Sequence, residues 1–137
     1  MSLKNNYHST RWSEQFKICL SKTDESMDLH DIIKILMVRK IIRNCKNKAW
    51  IRIYTEFSIG EKEELIPDIY VENIKDKSII CYEIQKNLGS DYVTKKTKQY
   101  NELDIPFFNS IDLIIIPIKN APNDLTKLNS WLNQFIF

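Results

Sequence analysis

The stretch 67–86, which reads PDIYVENIKDKSIICYEIQK, contains the acidic and amide side chains best suited to metal chemistry. Two runs rich in Val, Ile and Tyr flank a polar turn at 73–78, which predicts two paired β-strands. Because side chains alternate along a strand, Glu83 and Gln85 share one face. If the strands pair, Asp68 near the start of the first can lie close to Glu83. Two carboxylates and an amide oxygen would then form one patch, as an Mg²⁺ or Mn²⁺ site requires.

The dipeptide Pro67–Asp68, followed fifteen positions after the aspartate by Glu83-x-Gln85, resembles the motif of the PD-(D/E)xK nuclease superfamily. Gln85 stands where that motif has a lysine. The resemblance implies that Asp68 and Glu83 bind the metal and that Gln85 occupies a catalytic position. An amide cannot carry positive charge, although it can orient water.

Further residues are similar to one branch of the superfamily, which includes competence-type nucleases. In that branch an acidic strand residue precedes Pro-Asp, and a helix with a basic residue, a threonine and a tyrosine follows E-x-Q. Glu56 and the run Lys96-Thr97-x-x-Tyr100 match this order. The resemblance covers roughly residues 49–118 and implies that Glu56 is a further metal ligand and that Lys96 supplies the missing charge.

The resemblance also implies a fold and a function. The fold class is α/β, with a restriction-endonuclease-like core in which helices flank a mixed four-stranded sheet in the order αβββαβα. The implied function is hydrolysis of DNA phosphodiester bonds with Mg²⁺ or Mn²⁺ by a homodimer, with branched or junction DNA as a candidate substrate. Gln85 favours the alternative that the fold is retained in a nucleic-acid-binding module without catalysis. A protein-interaction domain with no nucleic-acid role is the third reading.

Charge distribution favours a nucleic-acid partner more than the net charge of +2 does. No acidic residue occurs between positions 32 and 55, where seven basic residues fall. Such a segment suits phosphate contacts, although any single member can equally be a solvated helix residue. The predicted nucleic-acid-binding residues are Arg39, Lys40, Arg43, Lys46, Lys48, Lys95, Lys98 and Tyr100.

Composition indicates one globular domain: 137 residues are 43% hydrophobic and 28% charged. No apolar run reaches membrane-helix length, and the N-terminus lacks the apolar region of a signal peptide, so we expect an intracellular, cytoplasmic protein with no membrane partner. Three widely spaced cysteines argue against structural zinc. Cys81 should pack inward.

Periodicity predicts the elements that position these residues. Segment 1–26 should be peripheral, with a short helix at 13–20. Helices are expected at 27–44, 91–103 and 124–134, and strands at 49–59, on both sides of the turn at 73–78, and at 111–118. The apolar run at 111–118 predicts a central strand, parallel to its predecessor after a helical crossover. Neither His8 nor His30 has an evident functional partner in the sequence.

Overall fold

The protein is a mixed α/β domain in which helices cover both faces of one open sheet. The structure, a computed structural model, describes residues 16–18, 28–59, 65–86 and 89–136. The strands are β1 (Phe16–Lys17), β2 (Ile51–Thr55), β3 (Ile69–Asn73), β4 (Ser78–Gln85) and β5 (Ser110–Pro117). The α-helices are α1 (Leu29–Asn44), α2 (Ser90–Asn101) and α3 (Leu125–Trp131), and 3₁₀ turns occupy Lys48–Trp50, Ile118–Asn120 and Leu132–Phe135. None of the described helices is long and apolar enough to cross a membrane.

The five strands lie in sequence order, β1-β2-β3-β4-β5. The predicted antiparallel meander of β2, β3 and β4 is confirmed, and β5 pairs parallel to β4 as expected for a crossover through α2. The short β1 adds a fifth strand, because Phe16 and Lys17 pair parallel to β2. The prediction of a helix at 13–20 is therefore wrong for Phe16 and Lys17. Except for Ile18, the other positions of that predicted helix lie outside the described residues.

The prediction that β5 is central is wrong, because β5 forms an edge of the sheet. Its apolar side chains nevertheless pack on both faces: Ile114 and Ile116 join one core cluster, whereas Ile111 and Leu113 join the other. A strand that is apolar throughout must be covered on both faces of the sheet. The helices cover β5 on both faces although it lies at the edge of the sheet.

Two hydrophobic clusters, one on each face of the sheet, form the core. The first unites α1 and α3 with alternate residues of the strands: Ile33, Met37, Val38, Ile41, Ile51, Ile53, Ile69, Val71, Tyr82, Ile84, Ile116, Leu128 and Leu132. The second packs under α2: Tyr54, Phe57, Ile59, Leu65, Tyr70, Ile79, Cys81, Tyr100 and Ile105. The inward packing predicted for Cys81 is confirmed. Leu125, the first residue of the last helix, is 63% exposed.

The strict alternation predicted for 49–59 ends at Glu56, where φ is 53°. Left-handed backbone is uncommon for a residue with a Cβ atom, and it interrupts the strand. Phe57 therefore joins the cluster of Tyr54 and Tyr70 rather than that of Ile53, with ring centroids 4.8 Å and 5.0 Å from those two tyrosines. The same kink lies beside the acidic residues described next.

Candidate functional site

Three acidic residues lie level with one another at one end of the sheet. Thr55 pairs with Ile69, and Ile69 pairs with Tyr82. Glu56 directly follows Thr55, Asp68 directly precedes Ile69 and Glu83 directly follows Tyr82, so the three acidic residues lie at the same end of the sheet. Side chains alternate along β4, so Glu83 lies on the face covered by α2, opposite to that of Tyr82 and Ile84.

The Asp68 carboxylate is held by two hydrogen bonds from different elements. The peptide N–H of Ile84 donates to Oδ2 over 2.7 Å, and Nε2 of His30 lies 3.1 Å from Oδ1. Since an ionised carboxylate only accepts hydrogen bonds, Nε2 of His30 carries the proton. The contact with Ile84 connects Asp68 to β4, and the contact with His30 connects it to the first turn of α1.

Glu83 is a carboxylic acid that is only 7% exposed. The hydroxyl of Tyr100 donates to Oε1 over 2.5 Å, and the amide of Gln85 makes a longer contact of 3.4 Å with Oε2. Burial raises the pKa of Glu83, and the charge of Asp68 adds to this; the bonds from Tyr100 and Gln85 and the charge of Lys96 oppose it. A cation bound beside these two residues would offset the charge of Asp68, which disfavours ionisation of Glu83.

Gln85 shares a face with Glu83, as predicted, and its Oε1 is buried without a hydrogen-bond partner. Buried oxygens normally have a partner in protein or water, so this acceptor is available to one. Lys96 is half-buried on α2, and its charge lowers the pKa of Glu83. Lys86, the next residue along the chain, is exposed.

Glu56 forms an ion pair that the sequence did not indicate. Its Oε1 accepts a hydrogen bond from Nζ of Lys34 over 2.6 Å, and the Lys34 side chain is completely buried whereas Glu56 is 34% exposed. Lys34 is one of the seven basic residues in the segment without acidic residues. Because its side chain is buried in this ion pair, it is not accessible for a phosphate contact, which corrects the sequence analysis. Any role of Glu56 at a cation would have to be shared with this ammonium group.

A compact donor set lies in the first turn of α1. Asp28, His30 and Asp31 could hold a metal ion, because one ligand atom from each lies within 4.8 Å of the others. Among the described residues, Asp28, His30 and Asp31 are the group of three whose ligand atoms meet this distance limit. The ligand atoms of the predicted set, Asp68, Glu83 and Glu56, therefore do not all lie within 4.8 Å of one another. Asp28 also caps α1 by accepting from the N–H of Asp31, over 3.1 Å.

His30 joins this turn to Asp68 and is the main functional residue that sequence reasoning missed. Its Nδ1 lies 4.0 Å from Oδ1 of Asp31. The hydrogen bond to Asp68 raises the pKa of His30, while its partial burial opposes this shift. The sequence did contain a pattern that points to this region. Asp31 and Lys34 lie on the same side of α1 as the buried Val38 and Ile41, so two charged residues occupy an otherwise apolar helix face.

The predicted nucleic-acid-binding residues fall into two regions. Lys95 and Lys98 are exposed on α2, near the acidic end, and Lys98 lies 3.9 Å from Glu102. Tyr100 is completely buried, and its hydroxyl donates a hydrogen bond to Glu83. Its side chain is therefore not accessible for the predicted phosphate contact.

The second region lies on the C-terminal half of α1 and the following loop, where β2 begins. Arg39, Arg43, Lys46 and Lys48 are exposed there, and Lys40 is half-buried. Arg43 is thirteen positions after His30 on α1, which corresponds to a distance of about 20 Å along the helix axis. This basic region therefore does not contact the acidic residues.

No family model, curated protein or solved structure matches this chain. Function therefore has to be argued from the chemistry of the residues just described.

Proposed function

We propose that this protein is a metal-dependent nuclease that hydrolyses DNA phosphodiester bonds, with a restriction-endonuclease-like arrangement of its elements. The observation that carries the proposal is the pair of Asp68 and Glu83, which stand next to the paired residues Ile69 and Tyr82, with Asp68 held by the Ile84 peptide and Glu83 buried under Tyr100. A buried carboxylate beside a second carboxylate is expensive unless a function retains it.

Asp68 and Glu83 would hold Mg²⁺ or Mn²⁺, because each carboxylate oxygen keeps a lone pair beyond its hydrogen bond. The unpartnered Oε1 of Gln85 fits such a group, since it can accept a hydrogen bond from a water molecule bound to the ion. A divalent ion there would supply Lewis-acid stabilisation of the phosphoryl oxygens and make hydroxide available at neutral pH. The Ile84 and Tyr100 bonds fix the two carboxylates before substrate arrives.

Charge for the phosphate would come from α2. Lys96 lies close enough to lower the pKa of Glu83, and exposed Lys95 and Lys98 extend the positive surface along the helix. These side chains offset the charge that Gln85 does not provide. The donor set of Asp28, His30 and Asp31 supports the same proposal, because it adds metal-binding chemistry on the other side of Asp68.

The test is a cleavage assay on plasmid, single-stranded and four-way-junction DNA with Mg²⁺ or Mn²⁺. We expect nicking or cutting that EDTA abolishes and that Asp68→Asn and Glu83→Gln each reduce at least 100-fold. Asp76→Asn and Glu102→Gln are matched controls, since both residues are exposed and lie outside the site. Controls as inactive as the site variants, or activity in all variants, would contradict the proposal.

A second candidate is a nucleic-acid-binding module without catalysis, which the amide at Gln85 favours. It predicts salt-sensitive DNA binding and no cleavage with either metal ion. Gln85→Lys separates the two: it restores the motif lysine and should raise the activity of a nuclease, but it creates none in a module that does not bind the metal.

A further inference from the structure

A cavity of about 550 Å³ lies between α1 and the C-terminal segment, at the end of α1 away from the acidic residues. The side chains around it include Arg39, Lys40 and Arg43 from α1 and Asn129 and Asn133 from the other wall. Among the described residues that line it, none is acidic. Its wall is therefore made largely of cationic groups and carboxamides.

The two walls of the cavity are joined by a side-chain hydrogen bond. Nζ of Lys40 donates to Oδ1 of Asn133 over 2.7 Å, although 93 positions separate the two residues. Arg39 and Arg43 are four residues apart on α1, so they lie on the same side of the helix. Each guanidinium offers a planar fork of donors whose geometry matches phosphate oxygens, and the amide of Asn129 adds further donors.

We propose that this cavity binds a phosphate group, as a site separate from the candidate metal site. The cationic groups all come from α1, and the amides come from Asn44 at the end of α1 and from Asn129 and Asn133 in α3 and the 3₁₀ turn after it. Such a pocket neutralises a compact, multiply charged anion and donates hydrogen bonds to several of its oxygens. The phosphate can belong to a nucleic-acid strand or to a free phosphorylated molecule, because both present the same oxygens.

The proposal does not depend on catalysis by Asp68 and Glu83. It is therefore tested in EDTA, where no metal-dependent cleavage can occur. Calorimetric titration with inorganic pyrophosphate measures the free-anion source, and fluorescence anisotropy with a 20-nucleotide strand lacking terminal phosphates measures the backbone source. Both use the full chain at 50 mM and 300 mM salt.

The variant that tests the cavity is Arg39→Ala/Arg43→Ala, and its matched control is Lys119→Ala/Lys127→Ala. Each removes two positive charges from exposed positions, but Lys119 and Lys127 do not line the cavity. We expect the arginine variant to weaken binding of at least one probe tenfold or more, and the lysine control to change it less than twofold. Asn129→Asp, compared with Asn123→Asp outside the cavity, should give the same contrast.

A selective loss for pyrophosphate identifies a free phosphorylated ligand, and a selective loss for the oligonucleotide alone identifies the strand backbone. Equal losses in the arginine variant and its lysine control would overturn the proposal, because binding would then follow net charge. The proposal would also be overturned if neither pyrophosphate nor the oligonucleotide bound at 50 mM salt. Neither result would affect the nuclease proposal, which is measured by cleavage.

Discussion

Glu83 combines burial, a neighbouring negative charge and a raised pKa, so its ionised form destabilises the fold. Because the folded pKa lies above the unfolded one, this penalty is absent below the unfolded pKa, grows between the two pKa values and is complete above the folded pKa. Glu83→Gln should therefore stabilise the metal-free protein at pH 8 by on the order of 1 kcal/mol. The introduced amide can also donate toward the unpartnered Oε1 of Gln85.

Urea unfolding in EDTA at pH 4.5 and pH 8 measures this effect, and the gain should be smaller at pH 4.5. The exposed Glu102→Gln is the control, with a change expected within about 0.5 kcal/mol. Destabilisation by Glu83→Gln at pH 8 would mean that the carboxylate is a structural group and not one held for a cation.

His30 should contribute to stability in the opposite pH direction. Its pKa is raised by the hydrogen bond to Asp68, so the favourable pairing is fully present below the ordinary value of 6.5 and is lost as pH rises through the higher folded value. His30→Gln should therefore lower the melting temperature more at pH 6 than at pH 9. Melting curves of both proteins across that range measure the difference, and a loss that does not vary with pH would contradict the pairing.

The ion pair of Lys34 and Glu56 should respond unequally to removal of its two members. Glu56→Gln leaves a completely buried ammonium group without its counter-charge, and we expect a loss of about 3 kcal/mol. Lys34→Met removes that buried charge and leaves Glu56, which is 34% exposed, with access to water. Its loss should be smaller by at least about 1 kcal/mol. Equal losses in urea unfolding would show that the desolvation of Lys34 is unimportant.

At the scale of elements, α2 is joined to the sheet through a side chain that also serves the site. Tyr100 is completely buried in the second core cluster and donates to Glu83 on β4. The position of the helix and the state of the carboxylate are therefore coupled. A change that strengthens one contact alters the other.

Tyr100→Phe should reduce stability by about 1–3 kcal/mol at pH 8, because a buried carboxylate then loses its shortest hydrogen bond. The loss should shrink when Glu83→Gln is already present, since the bond to a neutral amide is weaker. A double-mutant cycle in urea unfolding measures this coupling. Tyr92→Phe on the same helix is the control, and additive effects of Tyr100→Phe and Glu83→Gln would contradict the coupling.

At the scale of the whole molecule, acidic and basic groups occupy opposite ends of α1. The acidic residues lie where β3 begins and β4 ends, and the residues of α1 that line the basic cavity lie about 14 to 20 Å from His30 along the helix. A nucleic acid that reached both regions would span several base pairs. A substrate shorter than that distance would engage only one of them.

The homodimer remains a proposal, motivated by the two strands that a junction presents for cleavage. Light scattering at micromolar protein should then give about twice the chain mass of 16.3 kDa. A mass of one chain, both free and with junction DNA, would contradict the dimer. Paired cuts at a junction would then require two independent binding events.

Sequence patterns were sufficient for the elements and for part of the site. Alternation at 51–55, the turn before Ser78 and the stripe of α1 all depend on neighbouring residues, so each predicts a local structure that the fold retains. The approach of Asp68 to Glu83 was also predictable, because a short hairpin leaves few registers that keep apolar residues covered.

Features that depend on distant parts of the chain could not be read in this way. The partnership of His30 with Asp68 joins residues 38 positions apart, and that of Lys34 with Glu56 joins residues 22 apart. The kink at Glu56 and the edge position of β5 likewise depend on packing against other elements. Local pattern thus establishes which side chains share a face. Contacts between faces, and the burial that shifts the pKa of Glu83, arise only when the helices close over the sheet.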